Sequence, residues 1–161
     1  MTEEQYAFWH QYLATLPTNQ RPTDDLVVVD TLSHHTVRAN EVATLVSLNK
    51  KKAHCRLRSS LEEKNAVISK KGQYKIVLNG HQRPVCIVRI TQVSDCPFNQ
   101  VSAEFAAREG EGDGSYQCWH EAHWGYFSQY AKTHGLHFDE HSDVVLEEFE
   151  KVYPSKHQSR I

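Results

Sequence analysis

Two stretches of this sequence concentrate groups that can move protons or hold anions. Glu109-Gly-Glu-Gly-Asp-Gly-Ser-Tyr-Gln-Cys-Trp-His-Glu-Ala-His-Trp-Gly-Tyr-Phe127 sets carboxylates, a hydroxyl and imidazoles beside a glycine-rich turn. Between Lys50 and Lys71, eight Lys or Arg residues stand against only Glu62 and Glu63. A desolvated carboxylate, an imidazole titrating near neutrality and an ammonium can together transfer protons or neutralise a developing oxyanion. A local run of Lys and Arg also suits phosphate. Each stretch has a plainer reading. The basic run can be a solvated loop paired with the acidic C-terminal third, where eleven acids face five bases from Val101 onward. The aromatic residues can simply fill a core.

Positioning those groups falls to the elements around them. Asp113 or Ser115 is a good N-cap for a helix that ends near Gly135. Tyr116, Trp119, His123, Tyr126, Phe127 and Tyr130 then recur at spacings of three and four, which predicts one continuous aromatic face. Trp119 reads as core and His123 as a core or cleft histidine. Trp124 falls off the stripe and is expected to be exposed, while Tyr116 sits nearest the acidic loop. Upstream, residues 2–16 read as a helix with Thr2 and Gln5 as a capping box, stopped by Pro17. Residues 26–29 suggest a short strand, residues 39–48 a helix, and residues 50–58 an exposed loop. Tyr74–Leu78 and Pro84–Val93, joined through Asn79-Gly80, predict a hairpin with a loop longer than a tight turn. A short helix over residues 99–108 and a strand over 144–153 complete the order. The pattern is α+β, helices around a small, mostly antiparallel sheet or barrel.

Composition narrows the classes further. A chain of 161 residues with net charge −2 fits one domain with a single core. No apolar run approaches the ~18 residues of a membrane span, and the acidic start Met1-Thr-Glu-Glu has no signal-like region. Cys55, Cys86, Cys96 and Cys118 lack CxxC spacing, which suits reduced thiols in a cytoplasmic protein. A metal site is not expected. The His120–His123 spacing departs from HExxH, and His134, His137 and His141 lie around a turn. At most a weakly held Mg2+ would sit at Glu111 and Asp113. No feature specifies an oligomeric state.

The segment Asn49-Lys-Lys-Lys-Ala-His-Cys-Arg56 resembles the Gly-x-Lys-Thr-x-Thr-x-Arg loop of the ASCH (activating signal cointegrator homology) domain. Gly72–Leu78, Arg83–Thr91 and Pro97-Phe-Asn99 are similar to that family's central strands. Glu109-Gly-Glu-Gly-Asp113, Trp119 and His123 resemble the signature of its larger bacterial subgroup, and Phe149–Tyr153 its last strand. The likeness covers residues 39–153. It leaves residues 1–38 as an N-terminal helical and irregular extension and residues 154–161 as a C-terminal tail. It implies a barrel related to the PUA (pseudouridine synthase and archaeosine transglycosylase) fold. It also implies one of the family's activities: binding RNA, cleaving single-stranded RNA, or hydrolysing the acyl amide of N4-acetylcytidine.

Carried over residue by residue, the resemblance gives Lys51 as the family's catalytic lysine and Glu109 as its assisting glutamate. The nucleophilic threonine falls on His54, and the loop's first glycine is Asn49, which tolerates left-handed geometry. Sliding the register by one pairs Lys52 with Cys55 but leaves Arg56 unmatched, so the unshifted register is preferred. Lys51 can then move a proton or stabilise an oxyanion. Glu109 can act as general acid or base. His54 can deprotonate a ribose 2'-hydroxyl while Lys51 faces the phosphate. Lys50, Lys52, Arg56, Arg58, Asp113, Ser115, Tyr116 and His123 are the expected ligand-binding residues. Three functions follow: binding and cutting single-stranded RNA, amide hydrolysis of acylated cytidines, or a non-catalytic RNA or protein interaction module.

Overall fold

The computed structural model describes residues 1–33 and 35–155; most of the expected C-terminal tail lies outside them. Contacts divide the chain into two units, Met1–Asn49 with Lys71–Thr91 and Phe149–Ile161, and Lys50–Lys70 with Gln92–Glu148. The long strands β4 (Pro84–Pro97) and β5 (Asp143–Tyr153) contribute residues to both.

In the first unit, helix α1 (Glu3–Ala14) begins where Thr2 Oγ1 accepts from Gln5 N–H and the Gln5 side chain accepts from Thr2 N–H. That reciprocal capping box satisfies two amides that a helix start otherwise leaves unpaired. The inner face of α1 presents Trp9, Tyr12 and Leu13 to Val27, Ile76, Leu78 and Ile87. Removing such side chains from water is the main force seating the helix. Strand β1 (Val27–Asp30) pairs in parallel with β3 (Tyr74–Leu78), which pairs antiparallel with β4. Between β3 and β4, Asn79 Oδ1 accepts from His81 N–H and Arg83 N–H, folding the expected long hairpin loop. Helix α2 (Thr36–Ser47) lays Ala39, Val42, Ala43 and Val46 inward. Its Asn40 Oδ1 accepts from Gly80 N–H at 2.8 Å. A Cβ on Gly80 would lie 2.3 Å from the Thr36 carbonyl oxygen, so only glycine fits there.

The second unit corrects the expectation for residues 50–58. They are not an exposed loop: Ala53–Leu57 form strand β2, antiparallel to β5 from Ala53↔Glu148 to Leu57↔Val144. Ala53, Cys55 and Leu57 alternate into a core with Phe98, Phe105, Trp119, Phe127 and Leu146. Helix α3 (Arg58–Glu63), which has no obvious sequence signal, follows at once. Helix α4 (Ala103–Glu109) is N-capped by Ser102, whose Oγ accepts from Phe105 N–H at 3.0 Å, and ends at the left-handed Gly110. Helix α5 (Tyr116–His134) starts at the Ser115 cap and stops at Gly135.

The hydrogen-bonded strand order is β1-β3-β4-β5-β2. This is an α+β fold with one five-stranded sheet. β1 and β2 stand at the two ends of that order, and no hydrogen-bonded pairing closes it into a barrel among the described residues. The aromatic face expected on α5 also divides. Trp119, Phe127 and Ala131 are buried, whereas Tyr126 is exposed on another side of the helix.

Candidate functional site

The turn at the end of α4 fixes the centre of the site. Gly110 has φ +67°, and a Cβ there would come within 1.9 Å of the Lys50 carbonyl oxygen. Lys52 N–H donates to the Arg108 carbonyl at 2.8 Å. The backbone entering β2 therefore lies directly against the end of α4, and Lys51 is delivered to Glu109, 58 residues away in sequence. Lys51 Nζ donates to Glu109 Oε2 at 2.7 Å and stands 3.7 Å from Glu111 Oε2. Lys51 and Glu109 are among the largest fully buried side chains of the protein.

Helix α5 brings the third ionisable group. Asp113 Oδ1 accepts from Ser115 N–H at 2.8 Å, and Ser115 Oγ accepts from Cys118 N–H at 3.1 Å, which sets the start of the helix. Two turns on, His123 stacks on Trp119 with ring centroids 4.4 Å apart and meets Phe127 edge-on. Its Nδ1 is 2.9 Å from the Trp119 carbonyl oxygen, and its Nε2 is 3.4 Å from Glu109 Oε1. The two carboxylate oxygens of Glu109 are thus divided between an ammonium and an imidazole. Both neighbours of His123, a backbone carbonyl and a carboxylate, can only accept while Glu109 is ionised.

The electrostatics agree with an ionised Glu109. Burial pushes its carboxyl upward, but the Lys51 ammonium, then His123 and more weakly His54, outweigh that and hold it below the ordinary carboxylate range. Cys55, buried beside the cluster, has its thiol pushed well up by burial and by the Glu109 charge, with Lys51 partly opposing. It is a poor thiolate nucleophile. Oxygens of Glu109 and Glu111 and a nitrogen of His123 lie within 4.8 Å of one another, a set able to hold a metal ion. Lys51 Nζ already approaches both carboxylates, so a divalent ion would compete with an ammonium there.

Among the residues singled out from sequence, Lys51, Glu109 and His123 are brought together, with Glu111 joining them. His54 stands on β2 opposite Glu147, near enough to Glu109 to bear weakly on its carboxyl. Lys50 and Lys52 are exposed on either side of buried Lys51, and Arg56 is half-buried. Arg58 forms an ion pair with Asp95 at 2.5 Å. Asp113 and Ser115 are engaged in capping α5, and Tyr116 stacks on Trp119 with centroids 5.8 Å apart. The contact of Glu111 with Lys51 was not anticipated; its sign was the glutamate spaced two residues after Glu109 across a glycine.

A model of the ASCH domain family matches residues 29–153. The chain belongs to the ASCH domain family. The crystal structure of an ASCH domain from Lactobacillus crispatus JV V101 is similar with a TM-score of 0.88 at 36% identity, covering 96% of this chain and 97% of that one. A protein from Enterococcus faecalis V583 is similar with a TM-score of 0.73 at 27% identity, over 95% of this chain and 92% of the other. No curated protein matches the chain significantly. Among the described residues, no helix of this ASCH domain is long and apolar enough to cross a membrane.

Proposed function

We propose that this ASCH domain binds single-stranded RNA or a pyrimidine nucleotide and that the Lys51–Glu109–His123 cluster cleaves the bound ligand. The ASCH domain is a PUA-like fold commonly linked to RNA binding. The observation that carries the catalytic part is the buried Lys51–Glu109 contact at 2.7 Å with His123 on the second carboxylate oxygen. Burying an ion pair costs several kcal/mol in desolvation, and apolar residues would often serve stability as well or better. Three ionisable groups gathered at one point fit chemistry better than packing.

A phosphodiester is the favoured substrate because the protein offers no ready nucleophile. The family's threonine is replaced by His54, and the Cys55 thiol is buried with its ionisation suppressed. RNA supplies its own nucleophile, the ribose 2'-hydroxyl. In the proposed reaction His54 takes the 2'-hydroxyl proton and the 2'-oxygen bonds to phosphorus. The phosphorus–5'-oxygen bond breaks, and the leaving oxygen takes a proton from His123 Nε2, whose contact with Glu109 Oε1 is long at 3.4 Å. Lys51 neutralises the charge that builds on the phosphoryl oxygens, and Glu109 holds Lys51 and His123 in place. Exposed Lys50 and Lys52 contact flanking phosphates.

A second reading rests on a different observation. Within the cluster Lys51 and Glu109 are enclosed and only Glu111 and His123 are partly exposed, and the matching lysine and glutamate support hydrolysis of a small ligand, an N4-acylated cytidine. Here Glu109 would activate water in place of a threonine. Turnover of a single-stranded RNA oligomer and of N4-acetylcytidine, comparing wild type with Glu109→Gln, separates the two readings. Cleavage of RNA alone supports the first and deacylation alone the second. Binding of RNA without turnover of either leaves a recognition module.

A further inference from the structure

A second feature of α5 is independent of the buried cluster. Tyr116, His120 and Trp124 recur every fourth residue and form a ladder along the helix. The His120 and Trp124 rings are within 8° of parallel with centroids 5.9 Å apart, and Tyr116 lies 5.9 Å from His120. Phe98 backs the ladder at 5.1 Å from His120 and 5.8 Å from Trp124, and Phe138 supports Trp124 at 5.0 Å. The rings are thus held from behind, while Trp124 remains 39% exposed in front. In front of them opens a groove of about 520 Å³, completed by Asn99, Glu121, Gly125 and Glu140.

Among the described residues, the carboxylates are the groove's only fixed charges. Glu121 and Glu140 are both exposed, and among the described residues no Lys or Arg lines the groove. Glu121 Oε1 accepts from Gln117 at 3.1 Å, and Glu140 Oε1 lies 3.4 Å from His141 Nε2. Each carboxylate therefore has its other oxygen to offer. Two carboxylates disfavour a phosphate-bearing ligand. Electron-rich ring faces beside them attract a cation that is also partly apolar. We propose that this groove binds an alkylammonium group, with Trp124 and Tyr116 as the cation–π surface and Glu121 and Glu140 as counter-charges.

Choline and spermidine are the probes, representing quaternary and polyamine sources of the same group, with dimethylbutanol as the uncharged analogue of choline. The chain has three tryptophans, so its indole N–H resonances can be assigned with Trp124→Phe and followed by NMR in the full chain. The expected result is a saturable, salt-sensitive shift of the Trp124 resonance with one or both cations. Trp124→Ala weakens binding, read by calorimetry, about five-fold, and the surface pair Glu121→Gln with Glu140→Gln weakens it about ten-fold. Three results overturn the proposal: no shift with either cation, an equal response to dimethylbutanol, or cation binding unchanged in the glutamine pair. Tighter occupation of the groove by cytidine than by either cation also overturns it and makes the ladder a base-stacking surface.

Discussion

Replacing Lys51 with Met removes the ammonium that faces Glu109 and leaves its carboxylate buried. Its carboxylate then keeps His123, at 3.4 Å from Oε1, and more weakly His54, and cannot reach water from a side chain that is 1% exposed. Breaking a buried pair from one side costs about 3–5 kcal/mol. The surviving imidazole contact places Lys51→Met at the lower end, about 3 kcal/mol. Glu109→Gln strands the ammonium instead, but Glu111 at 3.7 Å can close on it, so that cost is about 2–3 kcal/mol. With both changes neither the buried ammonium nor the buried carboxylate is left stranded, and the double variant is less destabilised than the sum of the singles by at least about 2 kcal/mol. For a chain of 161 residues, Lys51→Met lowers Tm by about 6–12 °C. Urea unfolding of all four proteins near neutral pH measures the cycle. Additivity within about 0.5 kcal/mol, or a single-variant cost below about 1 kcal/mol, would refute a coupled buried pair. The pH dependence adds a second reading of the same contact. Glu109 is held below its ordinary 4.5, so the native state binds that proton less readily than the unfolded chain. Its stabilisation is complete above pH 4.5 and is lost as pH falls through the lowered native value. Glu109→Gln removes that part of the acid sensitivity, seen as a flatter stability profile below pH 4.5.

Other consequences are open to measurement. Gly110→Ala forces a Cβ to 1.9 Å from the Lys50 carbonyl at a left-handed φ, so it destabilises by more than about 2 kcal/mol and separates Lys51 from Glu109; unchanged thermal unfolding would contradict that packing. Ser115→Ala removes the cap on Cys118 N–H and costs about 1 kcal/mol in chemical denaturation. Native alkylation followed by mass spectrometry should label Cys96 and Cys118 before Cys55 and Cys86. The latter two are buried, and the Cys86 thiol is pushed up to about 12 by burial. Neutralising Lys50 and Lys52 as glutamines should reduce RNA affinity and lower the salt slope of binding by about 1.4. An unchanged slope removes them from the phosphate path.

Much of the fold was legible because its signals are local. The Thr2–Gln5 capping box, the Ser115 cap and the glycine at the end of α5 each rest on residues within a few positions of one another. Strand β2 was not legible. Its period of two rests on Ala53, Cys55 and Leu57, two of them small or weakly apolar, and is surrounded by Lys and Arg. The burial of Lys51 was equally hidden, since the carboxylate that compensates it comes from Glu109, 58 residues on. A charge is buried only with a partner, and partners distant in sequence leave no local pattern. The pairing itself followed from the family resemblance. The Glu111 contact and the division of α5 into an inner line through Trp119, His123 and Phe127 and an outer ladder through Tyr116, His120 and Trp124 emerged only in three dimensions.

The most direct test of the cluster as a reacting centre is product analysis of a single-stranded RNA oligomer incubated with wild type, Lys51→Met and Glu109→Gln, each verified as folded. The account predicts cleavage by wild type with 2',3'-cyclic phosphate ends and at least a hundred-fold loss (on the order expected for general acid–base groups) in both variants, with RNA binding retained. Intact RNA after incubation with wild type, or equal cleavage by all three proteins, would contradict it.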